Sequence, residues 1–437
     1  MFVNGGKYTK NYGKKCKKCL FFLSQCYLIL QKWTNYQELC VSSRPENEIY
    51  DMNRHLFYSF LCATMILFPT LAGIPAAAQQ TGKSQVRIGV ILPLKEKSSR
   101  GSKMVEFYQG LLLAVDSMRH EGLSIEITAV HSGSTANDMD QLLLKRPIEN
   151  CDVVFGPLDM AQLTALADYC DLRGMRLVVP FATEDTQLTG HPLYYMAAAP
   201  RSVVQREAAW YIKTQFPNAN LIAVGTEEPN EEGRTFIQAV KDAVAEQGTY
   251  VRQLPAAGDD MAFEAAINPE RKNILILDGS SMKALNITLP RLRDYHRQHP
   301  EVQLSLFGYP AWQTYTQQLL QDFYTFDTYV YTTFYRNPLS PRAHEFDSRF
   351  VHWFQRPPQN TFPRYALVGF DLGYYFLRGL AIFGDNLEER HERVPALPYQ
   401  NPYWFQQQGE KDGFVNTFVE LVHYTTFQTI DLITRDR

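Results

Sequence analysis

The residues able to act as nucleophile and base are few, and their spacing does not assemble a catalytic site. His131, Ser132 and Ser134 lie close together, but the segment lacks the Gly-x-Ser-x-Gly spacing of a nucleophile elbow. His296 and His299 stand beside arginines on a predicted helix, a pattern typical of a solvated surface. The sequence therefore predicts no catalytic residue, and we expect that the protein is not an enzyme.

The remaining candidates for a metal or cofactor site are acids and cysteines. Two acid pairs, at positions 227–228 and 259–260, have neither histidine partners nor the spacing of a calcium-binding loop. Cys16 and Cys19 form a Cys-x-x-Cys pair, but no second pair stands at the spacing of a zinc site. The sequence also has no glycine-rich phosphate loop. We therefore expect no metal site and no cofactor.

Residues 52–78 have the pattern of a secretory signal peptide. A basic residue, Arg54, precedes the apolar stretch Leu56–Ile74, and a small-residue segment ending at Ala78 follows. The stretch is also just long enough to anchor the chain in a membrane, but Pro69 interrupts it and the small residues favour cleavage. We expect a periplasmic or secreted protein cleaved near Ala78, and a membrane-anchored one only if cleavage fails.

The residues before this signal are predicted not to belong to the native protein, because secretory signals stand at the N-terminus. We interpret residues 1–51 as an extension from a misplaced start. Lysine and arginine outnumber acids in residues 1–78, so the rest of the chain is more acidic than the whole, whose net charge is −3. A chain without a basic stripe is not expected to bind nucleic acid.

Two cysteines, Cys151 and Cys170, remain beyond the signal. Cys151 begins a predicted strand and Cys170 lies near the end of the helix that follows, so both are expected at the same edge of one layer. An oxidising compartment permits a disulfide between them. Two buried thiols are the alternative, and the sequence does not decide between them.

From Gln85 onward, strand-like apolar runs alternate with helical patterns. Val86–Leu92 precedes a helix over residues 104–118, and Asn273–Leu277 is the strongest buried-strand pattern in the chain. This alternation predicts an α/β fold with two Rossmann-like lobes, each built on a parallel central sheet. Open parallel sheets bind ligands beyond the carboxyl ends of their strands. The loops predicted at those ends are Pro93–Gly101, Gly156–Met160, Pro180–Asp185, Gly225–Pro229, Asp278–Ser281 and Gly308–Trp312.

Several segments near these loops occur in an order and spacing that resemble a known family. They are Ile88–Leu94 with Gly110 in the next helix, Val154–Leu158, Val179–Thr183 and Tyr365–Asp371. Together they resemble the type I periplasmic solute-binding proteins, the branched-chain amino-acid-binding kind of ABC transporter substrate-binding protein. The resemblance covers roughly residues 85–424.

The resemblance implies two lobes joined by a three-crossover hinge, which close on a ligand held between them. The first lobe is then expected at residues 85–198 and 336–395, and the second at residues 199–335 and 396–437. The chain is expected to return to the second lobe around Pro395.

The resemblance also implies ligand contacts in four turns. By position they are Asp159 and Met160, then Ala182 and Thr183, then Gly279, Ser280 and Ser281, and finally Tyr309 to Ala311 with Trp312 beside them. The chain departs from the family pattern twice, because Asp159 and Met160 replace a hydroxyl run and the fourth turn lacks an acid. Thr183 is expected to donate to an anion. Tyr309 and Trp312 are expected either to stack on a sugar or peptide or to pack in the second lobe.

We therefore expect a receptor that closes on a small ligand, an amino acid, a peptide or a sugar-like molecule, for transport or sensing. The expected partners are this small-molecule ligand and a membrane permease or envelope protein, and the protein itself is expected to be a monomer or dimer. The alternative is a non-catalytic envelope scaffold that uses the same fold for protein contacts, for example in cell-wall assembly. The missing anchor for an ammonium group weakens the prediction of amino-acid capture.

Overall fold

In a computed structural model, which describes residues 82–182, 189–255 and 260–435, the chain forms two seven-stranded sheets. The strands in chain order are β1 (Gln85–Leu92), β2 (Ser124–His131), β3 (Val153–Phe155), β4 (Arg176–Val179), β5 (Tyr194–Met196), β6 (Asn220–Val224), β7 (Arg252–Leu254), β8 (Asn273–Leu277), β9 (Leu304–Gly308), β10 (Thr328–Thr332), β11 (Phe405–Gln407), β12 (Phe414–Asn416), β13 (Glu420–Tyr424) and β14 (Ile430–Thr434). The first sheet has the order β11-β12-β5-β4-β3-β1-β2, and the second has the order β14-β13-β10-β9-β8-β6-β7. The predicted signal peptide and the extension before it lie outside the described residues.

Helices cover the sheets. They are α1 (Ser99–His120), α2 (Ala136–Leu144), α3 (Leu163–Asp171), α4 (Arg201–Gln215), α5 (Glu231–Ala245), α6 (Asp260–Ala266), α7 (Met282–Gln298), α8 (Thr316–Thr325), α9 (Pro341–Phe354), α10 (Tyr365–Phe383) and α11 (Leu387–Arg390). The described residues all belong to one compact unit.

The central strands are parallel and buried, as their composition requires. Every residue of β8, with the sequence Asn-Ile-Leu-Ile-Leu, is buried, and so are the last five residues of β1. A parallel strand covered by helices on both faces has this continuous apolar pattern rather than an alternating one. The predicted α/β fold class, with two lobes on parallel central sheets, is confirmed.

Within the described residues, the chain crosses between the two sheets three times. The chain leaves the first sheet after β5, leaves the second after β10, and leaves the first again after β12. We predicted the last crossing near Pro395, with residues 396–437 in the second lobe. That bound is wrong, because β11 and β12 pair within the first sheet and move the crossing beyond Asn416. The other lobe bounds stay predictions.

Long-range contacts decide where β12 lies. It pairs in parallel with β5, and Phe414 stacks on Tyr195 with ring centroids 4.7 Å apart. Asn416 donates from its side-chain amide to the Ala197 carbonyl at 3.0 Å and accepts the Trp404 N–H at 2.9 Å. A strand of three residues carries too little pattern to identify its partner, which explains the error in the predicted bound.

Helices α1 and α10 touch through two glycines. A Cβ atom on Gly110 would stand 1.8 Å from the carbonyl oxygen of Ala366, and one on Gly369 would stand 2.0 Å from that of Phe107. No side chain fits at these distances, so the two helix backbones are in direct contact. Through this contact α10 packs on the first lobe, although the strands of the second sheet from β6 to β10 precede it in the chain.

The segment Tyr365–Arg393, which contains α10, is long and apolar enough to cross a membrane by length and composition alone. In the protein, 72% of its apolar window is buried. A core helix of a globular domain meets the same criteria, and packing on α1 accounts for the apolar composition.

Asp327 is an ion-pair centre at the edge of the second sheet. Its carboxylate accepts from Lys272 Nζ at 2.5 Å, and a ring nitrogen of His423 lies 2.7 Å away. Burial raises the pKa of Asp327, but the hydrogen bonds from His423 and Lys272 outweigh burial and lower it to about 2. The three residues connect the start of β8, the start of β10 and the middle of β13.

We expect Gly369→Ala to lower the free energy of unfolding by about 2 kcal/mol or more, because backbone atoms of α1 must move apart to admit the methyl group. Gly379→Ala is the matched control in the same helix. There a Cβ would meet the flexible ends of Leu387 at 2.6 Å and Val394 at 3.2 Å, which can move. Urea denaturation of both variants gives the comparison, and equal losses would contradict a backbone contact at Gly369.

The lowered pKa of Asp327 predicts a dependence of stability on pH. The pKa of Asp327 is about 2 in the folded protein and 3.8 ordinarily. The ionised carboxylate therefore stabilises the fold at pH values above about 3.8, and this stabilisation is lost as the pH falls toward 2. The free energy of unfolding of the unmodified protein should therefore fall more steeply between about pH 4 and pH 2 than that of Asp327→Asn. Asp140→Asn, at an exposed acid of α2, is the control. If the free energy of unfolding fell equally with pH in all three proteins, Asp327 would not be the group responsible for the pH dependence.

Candidate functional site

The first turns of α1, the loops after β3 and β4 and the first residue of α10 meet at one place in the first lobe. They enclose a cavity of about 360 Å³. Its lining residues are Ser99, Arg100, Lys103, Met104, Leu158, Phe181 and Tyr365. Because ligands of parallel sheets bind at the carboxyl ends of the strands, this cavity is the candidate functional site.

Local backbone chemistry places the lining residues. The Ser98 hydroxyl caps α1 by accepting the Gly101 N–H at 3.0 Å, which fixes the first turn of the helix at the edge of the sheet. Gly156 follows β3 with a φ of 134°, and a Cβ atom there would lie 2.0 Å from the Ile91 carbonyl oxygen. Only glycine permits this positive φ and close approach, so the turn that carries Leu158 to the cavity requires it.

Cations and aromatic rings share the cavity wall. The guanidinium of Arg100 is paired with the carboxylate of Asp159, and this hydrogen bond raises the pKa of Arg100. Lys103 Nζ lies 5.6 Å from the ring centroid of Tyr365, a cation–π distance. The Phe181 ring lies 5.3 Å from that of Tyr365. With the N-terminus of α1 beside them, these groups favour a ligand that carries negative charge.

Three first-lobe residues predicted from sequence, Asp159, Met160 and Ala182, lie close in the chain to lining residues of this cavity. Asp159 follows the lining residue Leu158, but its carboxylate is held by Arg100. Met160 begins the short 3-10 helix Met160–Gln162 and is 39% exposed. Ala182 is buried, and Thr183 lies outside the described residues.

The second-lobe turn at residues 279–281 is bonded to its own lobe. Gly279 lies close to the backbone of Glu228, whose carbonyl oxygen would stand 2.4 Å from a Cβ atom. The Ser280 hydroxyl accepts from Asn230 Nδ2 at 2.7 Å, and the Ser281 hydroxyl caps α7 and donates to Glu228 at 3.2 Å. The Ser281 hydroxyl therefore both donates and accepts within the protein, whereas the Ser280 hydroxyl only accepts in the bonds described.

Tyr309 and Trp312 belong to the core of the second lobe. Both are fully buried. The Tyr309 hydroxyl donates to the Leu277 carbonyl, and the indole N–H of Trp312 donates to the Ser280 carbonyl at 3.2 Å. A ring without exposed surface does not stack on a ligand unless it leaves the core. The structure therefore favours the packing alternative for both residues.

Sequence reasoning missed the cations. Arg100 and Lys103 stand three positions apart at the start of the helix after β1, and that spacing places both on one face of α1. Two cations in the first turns of a helix destabilise that helix. Their presence there was the sequence feature that could have identified Arg100 and Lys103 as functional residues. The residues predicted to contact a ligand bond within their own lobe, among the residues that the structure describes. Asp159 pairs with Arg100 in the first lobe, and Ser280, Ser281, Tyr309 and Trp312 bond to residues of the second lobe.

The polar loop after β2 is a structural element. The Ser132 hydroxyl donates to the neighbouring Gly133 carbonyl at 2.8 Å, and Thr135 and Asp138 form a capping box at the start of α2. Gln162, fully buried, donates to the carbonyls of Ser132 and Thr135 at 2.8 and 3.0 Å. In the part of the chain that the structure describes, no three His, Cys, Asp or Glu residues group as metal ligands.

Cys151 and Cys170 are both free thiols here, and their pairing stays a prediction. Both pack on the core cluster that contains Val154 and Leu166. Burial raises the pKa of Cys151 to about 12 and that of Cys170 further, so neither is a reactive thiolate.

Tyr309→Phe distinguishes a core role from a ligand role. The variant should lower the free energy of unfolding by about 1 kcal/mol, because the Leu277 carbonyl loses a buried donor, and should leave the affinity for any cleft ligand unchanged. Tyr250→Phe, at a residue that is 70% exposed, is the control and should change neither quantity. Weaker ligand binding at unchanged stability would place Tyr309 in the binding site instead.

Among the comparisons with known proteins, only solved structures match this chain. No model of a protein family matches the chain, and no curated protein matches it. A putative branched-chain amino acid ABC transporter protein from Rhodospirillum rubrum is 15% identical with a TM-score of 0.57, over 80% of this chain and 100% of that one. A branched-chain amino acid transporter protein from Rhodopseudomonas palustris is 14% identical with a TM-score of 0.49, over 80% and 96%. An ABC transporter substrate-binding protein from Desulfitobacterium hafniense is 14% identical with a TM-score of 0.47, over 80% and 100%.

At such low identity, the likeness to the Rhodospirillum rubrum protein concerns the fold and not the ligand. The strand orders and the three crossings are consistent with it. The resemblance inferred from the sequence is confirmed at this level: the chain has the two-lobed α/β fold of the type I periplasmic binding proteins.

Proposed function

We propose that the protein is an exported, non-catalytic receptor that binds a small solute between its lobes, for transport or sensing. The observation that carries the proposal is the cavity at the carboxyl edge of the first sheet, where Arg100 and Lys103 stand beside two aromatic rings. Its volume of about 360 Å³ suits a small molecule.

The lining favours a solute with an anionic group. Lys103 supplies positive charge, since Arg100 is paired with Asp159, and Phe181 and Tyr365 supply an apolar wall for the body of the molecule. Asp159, which would otherwise suit an ammonium group, is already paired with Arg100. We infer that an acidic peptide, sugar acid or other carboxylate fits better than a zwitterionic amino acid.

The second lobe would then cover the ligand. Three crossings form a hinge that allows two lobes to close, and the turns after β6, β8 and β9 stand at the corresponding edge of the second sheet. Because the side chains of Tyr309 and Trp312 are buried, backbone groups and Ser280 are the contacts expected from that lobe. A receptor of this kind would deliver its ligand to a membrane permease.

A scaffold role in the cell envelope is the second candidate. Ser281, Tyr309 and Trp312 form hydrogen bonds within the second lobe. This favours the scaffold role, since side chains bonded in this way contribute little to ligand binding. Such a protein would act by contacts with other proteins and would bind no small solute in the cleft.

A thermal-shift screen of the chain from Gln79 tests the receptor proposal. The panel contains carboxylic acids, amino acids, short peptides, sugars, sugar acids and cell-wall fragments. A ligand at 100 times its Kd should stabilise the fold by about 2.7 kcal/mol, and we expect acids to give the largest shift in melting temperature. No shift across the panel would favour the scaffold candidate and lead to pull-downs for a protein partner.

Lys103→Met tests the site with the best acid from the screen. Loss of one charge-assisted hydrogen bond should weaken binding by about 10- to 100-fold. Lys97→Met is the matched control, because it removes the same charge from an exposed residue of the preceding loop that does not line the cavity. Equal effects of the two variants would attribute binding to net charge and not to this cavity.

A further inference from the structure

A second cavity, of about 470 Å³, lies between the middle of α10 and the segment 391–405. It shares no lining residue with the cavity at the edge of the first sheet. Tyr365 lines that first cavity and Tyr374 the second, and they lie roughly 14 Å apart along the axis of α10. The two cavities are therefore separate places on the first lobe.

The wall of this second cavity is preformed. The carboxylate of Asp371, in α10, accepts the successive backbone N–H groups of residues 399–401 at 2.7–2.8 Å. The Tyr375 hydroxyl donates to the His391 carbonyl at 2.9 Å. These bonds attach both ends of the opposite wall to the helix, so a ligand would not have to order the segment before it binds.

Aromatic faces make up much of the lining. Tyr374, Tyr375, Tyr403, Trp404 and Phe405 all contribute. The ring of Tyr403 stacks on that of Phe405 with centroids 5.8 Å apart, and the rings of Tyr375 and Phe405 are 5.4 Å apart. The Tyr374 and Tyr375 hydroxyls already donate to Glu121 and to a backbone carbonyl. These two hydroxyls are therefore engaged within the protein, whereas the buried Tyr403 hydroxyl has no hydrogen-bond partner among the described residues.

The charged side chains of the lining are carboxylates. Asp371 and Glu392 line the cavity, and no lysine or arginine does. His391 also lines it, and each of its ring nitrogens lies 2.8 Å from a backbone carbonyl oxygen. Two acidic side chains, Asp371 and Glu392, therefore stand against one histidine in the lining. Burial raises the pKa of Asp371 to about 7, because the backbone hydrogen bonds and the charge of Arg342 only partly offset the loss of water around the carboxyl group.

We propose that this cavity is a second binding site, for a small organic cation with an aromatic or alkyl body. Ring faces carry negative electrostatic potential and attract cations, most strongly where water is excluded. The carboxylates add to this attraction and repel anions. The volume lies within the range of small-molecule sites. The proposal does not depend on the function proposed for the first cavity, whose charge is of the opposite sign.

Isothermal titration calorimetry of the chain from Gln79 tests the proposal with three probes of similar shape. Benzyltrimethylammonium carries a fixed positive charge, benzyl alcohol is neutral and benzoate is an anion. We expect the cation to bind at least about tenfold more tightly than the alcohol, with no binding of benzoate to this cavity. Because Trp404 lines the cavity, the cation should also change tryptophan fluorescence.

Glu392→Gln locates the cation site, with Glu389→Gln as the matched control. Both glutamates are exposed, so neither change should impair folding, but only Glu392 lines the cavity. We expect the first variant to weaken binding of benzyltrimethylammonium by about threefold or more, and the second to leave it unchanged. Lys103→Met should also leave it unchanged, which separates this site from the one in the cleft.

Three results would overturn the proposal. They are equal affinity for the cation and the alcohol, equal affinities of Glu392→Gln and Glu389→Gln for the cation, and no heat of binding for the cation at millimolar concentration. Failure of the acids in the thermal-shift screen would bear on the first cavity only.

Discussion

The contact between α1 and α10 is the constraint on which the rest of the first lobe depends. Gly110 and Gly369 allow the two backbones to touch, so α10 returns to the first sheet although more than a hundred residues of the second lobe precede it in the chain. Both cavities use α10. Its first residue, Tyr365, lines the cavity at the sheet edge, and Asp371 with its neighbours lines the other. A looser contact between the helices would therefore displace both sets of residues.

Buried carboxylates attach distant segments of the chain to one another. Glu106 in α1 accepts the Gln359 N–H at 2.7 Å, which attaches the segment before α10 to the helix that α10 packs against. Asp371 holds residues 399–401, and Asp327 connects three strands of the second sheet. Burial of a carboxylate is costly unless several donors surround it. Such a group therefore specifies one geometry for the loop that supplies its donors.

The carboxyl edges of the two sheets carry different side chains. At the first, Arg100 and Lys103 stand beside a cavity. At the second, Thr226 donates to Asp278 from both its N–H and its hydroxyl, and Tyr309 and Trp312 fill the interior. Hydrogen bonds within a protein and contacts to a ligand compete for the same groups. Thr226, Asp278, Tyr309 and Trp312 are therefore used within the second lobe itself.

The sequence by itself determined the fold class and the longer helices and strands, because hydrophobic periodicity is a local property. The predicted helix over residues 104–118 lies inside α1, and the strand predicted from the apolar run Asn273–Leu277 is β8. Tertiary structure alone decided that β11 and β12 belong to the first sheet, that Asp159 pairs with Arg100, and that Tyr309 is buried. Each of these depends on which distant residues approach one another. Short strands and single side chains carry no pattern that identifies such partners, because their energies come from contacts formed only when the sheets and helices have assembled.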